Sequence, residues 1–216
     1  RLMRTEGIVL HTTRHSDTAS VVHVFTRRCG PVAVVVKRAA RQRGRGASAA
    51  LVQPLTQISF ECDHAAEGLQ TLRGAEIDGV YASIPFVPGK SAVAMFLAEF
   101  LWHALRAEQP SEPLYEFLAL SLRWFDEADD GYANFHLLFL LQLTRYLGYD
   151  PSLLPEARQY DIDTLMRHSY RTMRLIPLNG AQRSLFLTRL VDFYREVIPG
   201  FPPVKSLEIL TQMYNI

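Results

Sequence analysis

Residues 29–46 read CGPVAVVVKRAARQRGRG, and this stretch decides how the N-terminal part of the chain is read. Cys29-Gly30-Pro31 is turn chemistry: glycine tolerates unusual backbone angles and proline fixes φ. Val32–Val36 is a β-branched run suited to a pleated sheet, and so a strand. From Lys37 to Arg45 the chain then carries Lys37, Arg38, Arg41, Arg43 and Arg45, spaced by alanine, glutamine and glycine. A strand therefore runs directly into a basic loop.

Strand signals continue on both sides of this segment. Ile8 and Leu10 alternate with intervening positions, as do Val22 and Val24. Ile58, Phe60 and Cys62 repeat at period two, and Leu69–Tyr81 supplies a fifth candidate. Turn residues separate them at Ser16-Asp17, Gly44–Gly46 and Asp63–Gly68. Five short strands with long polar connections fit a small closed β-barrel of the OB type, although an open antiparallel sheet would satisfy the same pattern.

From Pro88 the period changes to that of a helix. Val93, Phe96, Leu97, Phe100, Leu101, Ala104 and Leu105 form one apolar stripe, and Leu114, Phe117, Leu118, Leu122 and Phe125 form a second, opened by Pro113. Phe135–Leu147 is apolar nearly all round, as expected of a helix at the centre of a bundle, and Gly148 marks its end. Asn179 and Gln182 have the spacing of a capping box before Phe186, Leu190, Phe193 and Val197. A last short helix runs through Leu207, Leu210 and Tyr214. Residues 151–178 give mixed turn and short-helix signals. The expected fold class is α+β: a five-stranded OB-type barrel over residues 1–84, then an all-α helical domain over 85–216.

The charge is unevenly placed. The whole chain carries a formal +1, yet residues 1–81 hold 11 Lys/Arg against 7 Asp/Glu and residues 82–216 hold 12 against 15. Between Asp17 and Glu61 there is no acidic residue, while Arg27, Arg28 and the five cations of 37–45 fall in that interval. Such a segment is the electrostatic footprint of a surface for a polyanion, against the plain alternative of a solvated loop. Arginine adds planar, bidentate phosphate contacts, and a basic loop between barrel strands lies where OB folds hold single strands. Phe25, Phe60 and Tyr81 are the aromatic residues available for base stacking, each also suited to a core. A second group, Arg158, Arg167, Arg171 and Arg174 near Leu165, Met166 and Tyr170, fits either an acidic peptide with a hydrophobic end or a solvated helix face.

No catalytic constellation is expected. Gly44-Arg45-Gly46 lacks the ending of a phosphate-binding loop. Cys62-Asp63-His64 invites a hydrolase reading, but Cys62 continues the Ile58/Phe60 stripe and reads as a buried small hydrophobe. Asp161 and Asp163 lack the other ligands of a calcium loop and read as a helix cap. The Asp126–Asp130 cluster reads as a cap for the third helix. The histidines show no zinc-site spacing, and Cys29 and Cys62 form no CxxC pair, so no metal, cofactor or disulfide framework is expected. Apolar runs stop well short of a membrane span, so the expected location is the cytoplasm, with no membrane partner.

These features together resemble the RecO family of bacterial recombination and repair mediators. The resemblance is carried by EGIVL at Glu6–Leu10, Ser16-Asp17, VFT at Val24–Thr26 before Gly30, and VVVKRAAR at Val34–Arg41. LVQPLT at Leu51–Thr56, LTRYLGY at Leu143–Tyr149 and KSLEIL at Lys205–Leu210 continue it. Two departures stand out: the four-cysteine zinc module of many members is missing, so zinc is not implied, and Arg38 replaces a usual glycine. The passage Pro155–Tyr160 is abrupt, as if residues were absent there.

The resemblance implies a non-enzymatic, nucleoid-associated mediator. It would bind single- and double-stranded DNA, engage the acidic C-terminal tail of single-stranded-DNA-binding protein, pair with RecR and help load RecA, some members also annealing strands. It implies DNA contact at Lys37, Arg38, Arg41, Arg43 and Arg45, and further at Arg14, Arg27 and Arg28. For the tail it implies Arg145, Arg171 and Arg174. The competing class is a protein–protein adaptor whose basic loop grips an acidic partner.

Overall fold

A single long strand, β1, organises the N-terminal sheet. In the computed structural model, which describes residues 1–37, 49–154 and 161–214, β1 covers Leu2–Arg14. Its first half, Leu2–Ile8, pairs antiparallel with β4 (Gln57–Asp63), and its second half, Gly7–Arg14, pairs antiparallel with β2 (Ala19–Thr26). Between Val9 and His11 the register with β2 shifts, an irregularity of the kind that increases local twist and helps a sheet curl. Gly7 lies where both pairings overlap: a Cβ there would come within 2.5 Å of Val24 Cγ1, so no side chain fits.

β3 (Gly30–Lys37) continues from β2 as an antiparallel hairpin. The expected fifth strand is divided in two. β5 (Leu69–Thr71) pairs parallel with β3, whereas β6 (Arg73–Ile77) pairs antiparallel with β4. The sheet therefore has six strands in the order β5-β3-β2-β1-β4-β6 rather than five. The first and last in that order are consecutive in the chain, with only Leu72 between them. The curled sheet thus has the strand succession of an OB-type barrel, and the extra strand reflects one segment changing partners at Leu72.

Two compact units are built, one from residues 1–81 and 98–119, the other from 82–97 and 120–216. In the first, Val9, Val22, Val24, Val34, Val36, Ile58, Phe60 and Cys62 form the barrel core. β2 lacks the alternation of a half-exposed strand: Val21 and Phe25 are buried as well as Val22 and Val24. A second layer explains this, because the end of helix α1 (Pro88–Ala104) stacks Trp102 on His11 of β1 and beside His23 of β2. Tyr81 is a core residue whose hydroxyl donates to the Leu55 carbonyl at 2.6 Å. Leu55 itself has a left-handed φ of 66°, held by its N–H bonding to the Val9 carbonyl at 2.8 Å.

The second unit is helical. α2 (Glu112–Glu127) contributes its second half, followed by α3 (Phe135–Leu147), α4 (Ile162–Arg167), α5 (Gly180–Val197) and α6 (Ser206–Tyr214). Phe135–Leu141, Leu143 and Thr144 are all buried, so α3 is the central helix its composition predicts. Gly148 closes it in the left-handed conformation at φ 81°. The capping box of α5 is present: Asn179 accepts from the Gln182 N–H and Gln182 accepts from the Asn179 N–H. Asp161 caps α4 through Thr164. The 151–178 region resolves into short 3-10 turns at Pro151–Leu153 and Met173–Leu175 around α4.

The expected role of Asp126 is corrected. It does not cap α3, whose N-cap is Asn134 with no side-chain capping bond. Instead its carboxylate accepts three backbone N–H groups, from Ala82 and Ser83 at 2.8 Å and Ile84 at 2.9 Å. Beside it Lys90, 1% exposed, donates to the carbonyls of Asp126 and Ala128 and to Ser83 Oγ. The ammonium also lies over the rings of Tyr132 and Phe125. Among the described residues, no helix is long and apolar enough to cross a membrane.

Candidate nucleic-acid interface

Strand register fixes where the cations of the first unit lie. Arg14 pairs with Ser20 of β2, and Lys37 pairs with the adjacent Ala19. Both cations therefore sit at one end of the sheet, on strands flanking β2, so about 10 Å separates their backbones at the usual strand spacing. Both are exposed, and the ion pair of Arg14 with the still more exposed Asp17, at 2.5 Å, lies in solvent where such pairs contribute little. Lys37 is also the first cation of the basic run 37–45. Arg38, Arg41, Arg43 and Arg45 lie outside the described residues.

Arg27 and Arg28 lie at the other end of the sheet. Thr26 pairs with Gly30 there, and β2 spans eight residues, roughly 24 Å at the rise of an antiparallel strand. Arg28 is exposed. Arg27 is not a free cation: its guanidinium meets Glu6 at 3.4 Å, Glu116 at 2.9 Å and Glu112, and it stacks over the Tyr115 ring at 4.6 Å. Burial disfavours its charge, but the hydrogen bonds to Glu116 and Glu112 outweigh that and raise its pKa above the ordinary value. Such a guanidinium has little left to offer a phosphate.

The aromatic residues named for stacking are all spent on the core, with Phe25 and Phe60 fully buried and Tyr81 nearly so. A partly exposed ring beside a cation occurs instead at Trp102, where the Arg106 guanidinium lies 4.4 Å from the ring centroid. Its signal in the sequence is that Trp102 stands off the apolar stripe of α1 with Arg106 one helical turn later. Cys62 is fully buried, and burial together with the neighbouring Cys29 thiol pushes its own thiol up to about 12, which leaves it inert as a nucleophile. His64 is exposed. No three His, Cys, Asp or Glu side chains among the described residues are grouped to hold a metal ion.

In the second unit, Arg171 and Arg174 line one cleft of about 520 Å³. Trp124 and Tyr170 form an aromatic pair in it, with ring centroids 5.1 Å apart, and the Tyr170 hydroxyl donates to Ser121 at 2.7 Å. Glu127, Asp129 and Asp130 line it as well, so the cleft is of mixed sign. Arg145 is exposed in the last turn of α3 and is not among the lining residues. Two of the three arginines named for a peptide are thus brought together and the third is not. Arg167 ends α4, and Arg158 lies outside the described residues.

Comparison with known proteins agrees with this architecture. The family model described as Recombination protein O N terminal matches residues 1–81, and Recombination protein O C terminal matches residues 87–192. The DNA repair protein RecO of Phocaeicola vulgatus is 35% identical over 242 residues, covering 99% of this chain and 100% of that protein. That of Bacteroides fragilis is 34% identical over 242 residues with the same coverage, and that of Christiangramia forsetii 31% over 239. These alignments are longer than the 216-residue chain, so the relatives contain residues without a counterpart in it. With both halves matched and relatives aligned end to end, the chain belongs to the RecO family.

Proposed function

We propose that this chain is a DNA-binding recombination mediator without catalysis of its own, acting at the bacterial nucleoid. A role in DNA repair and recombination follows from the family. The finer reading assigns residues 1–84 to DNA and residues 85–216 to protein partners. The observation that carries it is the placement of Arg14 and Lys37 at one end of the sheet, where the basic stretch through Arg45 begins. Phosphates of single- or double-stranded DNA meet that end, with Lys37, Arg38, Arg41, Arg43 and Arg45 as principal contacts and Arg14 supporting them. Arg28 makes a separate contact at the far end of the sheet, and Arg27 serves the fold instead. In this reading the mediator engages DNA coated by single-stranded-DNA-binding protein, pairs with RecR and assists RecA loading.

A salt series of single-strand binding tests the DNA assignment. Each phosphate contact releases counterions, so log affinity falls with log salt by about 0.7 per contact for a single strand. The Arg41→Ala/Arg43→Ala/Arg45→Ala variant is expected to bind more weakly at low salt, with a slope shallower by about two. A native chain that ignores DNA at low salt but binds an acidic protein would replace this reading with the adaptor.

The cleft holding Arg171, Arg174, Trp124 and Tyr170 is the proposed seat for the acidic tail of the single-strand-binding partner. Its arginines meet carboxylates and its rings meet a terminal aromatic residue. Titrating a short acidic peptide ending in Phe should show affinity weakened roughly tenfold in Arg171→Ala/Arg174→Ala, by loss of charge-assisted bonds. Arg145→Ala should weaken it less, because Arg145 does not line the cleft. Equal affinity in the double variant and the native chain would remove this assignment.

A further inference from the structure

Where β3 meets β5 near the end of α1, the first unit holds an open pocket of about 270 Å³. Trp102, Arg106 and His23 line it alongside Pro31, Val32 and Leu105. It is smaller than the roughly 300–1,000 Å³ clefts that take drug-sized ligands, and so is matched to a single ring system. Among the described residues lining it there is no carboxylate, and Arg106 is exposed and cationic.

The ring of Trp102 is already fixed in place. His11 stacks on it with centroids 3.5 Å apart and planes 8° from parallel, and the Arg106 guanidinium lies 4.4 Å from its centroid. His11 thus backs one face of the ring, and the exposed, flexible Arg106 side chain covers the other. His23 lies 5.6 Å from the same ring. Burial and the charge of Arg106 lower the pKa of His23, so at neutral pH it offers one donor and one acceptor to a heterocycle's edge.

We infer that this pocket receives one unstacked nucleobase of a bound single strand, the Arg106 guanidinium swinging off the Trp102 ring to meet the adjoining phosphate and leaving that face as the aromatic platform. This rests on the DNA-binding reading and adds to it a base-contacting site separate from the cationic end of the sheet. A base is favoured over an aromatic side chain because the pocket wall is β3 itself. Ala33 lines the pocket and Lys37 lies four residues along the same strand, about 13 Å away at the usual rise. A short single strand spans that distance, so base and phosphate contacts belong to one track. Stacking of this kind is sequence-tolerant, since every base has a π-face.

The test follows tryptophan emission as oligothymidylate is added, beside an abasic strand of equal length, with anisotropy of a labelled strand recorded in parallel. Thymidylate should quench emission of the native chain, and the abasic strand should not. The quenching should vanish in Trp102→Phe, which keeps a ring in the same packing and leaves Trp124 as the remaining tryptophan. Arg106→Ala, at an exposed position that does not threaten folding, should weaken thymidylate binding about fivefold and abasic binding less. If the labelled strand binds but emission is unchanged, or if quenching persists in Trp102→Phe, the pocket assignment fails and the DNA-binding reading stands. Arg106→Ala decides the matter should Trp102→Phe not fold: unchanged thymidylate affinity overturns the assignment. Quenching by a Phe-ended acidic peptide and not by thymidylate also overturns it. Absence of any strand binding at low salt removes both readings.

Discussion

Asp126→Ala is expected to lower the unfolding free energy of the helical unit by about 3–5 kcal/mol, the range for removing one partner from a buried charged network. The urea midpoint should fall accordingly. The carboxylate satisfies the N–H groups of Ala82, Ser83 and Ile84 at once. Burial works against its charge, but the Ile84, Ala82 and Ser83 donors outweigh that and hold the carboxyl below its ordinary range. Its removal also takes a favourable charge from the neighbourhood of the Lys90 ammonium, which burial already disfavours. Asp126→Asn keeps one carbonyl acceptor in the same place and should cost less than half as much. Equal midpoints for Asp126→Ala and the native chain would show that water replaces these bonds without loss.

The second large effect is in acid. His136 on α3 is 1% exposed, and burial, aided by the nearby Arg183 charge, lowers its pKa to about 3. An unfolded histidine titrates near 6.5. Below that value the unfolded chain takes up a proton that the folded chain refuses, so stability is full above pH 6.5 and is lost as pH falls toward 3. The slope approaches 1.4 kcal/mol per pH unit, about 3 kcal/mol lost by pH 4.5. His11 and His23 are also lowered, by burial first, and act in the same direction. The difference between the native chain and His136→Gln therefore isolates the residue. Denaturation midpoints measured from pH 7 to 4.5 should fall less steeply in the variant, and parallel curves would contradict the assignment.

Much of the fold is legible in the sequence because its causes are local. The apolar stripe of α1, the all-round apolar α3 with Gly148 behind it, and the Asn179/Gln182 box each declare themselves within one or two turns. The barrel strands do so through β-branched runs and turn residues. What escapes a local reading depends on partners far along the chain. Leu69–Tyr81 looks like one strand, and its break at Leu72 exists only because β3 and β4 claim different halves of it. Asp126 looks like a cap for the helix that follows, whereas its partners precede α1. Arg27 looks like one more cation of an acid-free stretch, yet Glu112 and Glu116 of α2 reach it. The candidate site divides the same way. Lys37 and Arg14 are visible from charge, but their juxtaposition needs the register, and Trp102 is hidden by an apolar stripe that draws attention to its neighbours.

The seam at Leu72 also bears on how the chain avoids associating with itself. Until residues 69–77 are in place, the outer edges of β3 and β4 carry unpaired N–H and carbonyl groups, a template for any other strand. One nine-residue segment occupies both edges, the first through Leu69–Thr71 and the second through Arg73–Ile77. It reverses its pairing sense within a single residue to do so. The same short segment that completes the barrel is therefore its guard against polymerisation, and both edges are protected or exposed together.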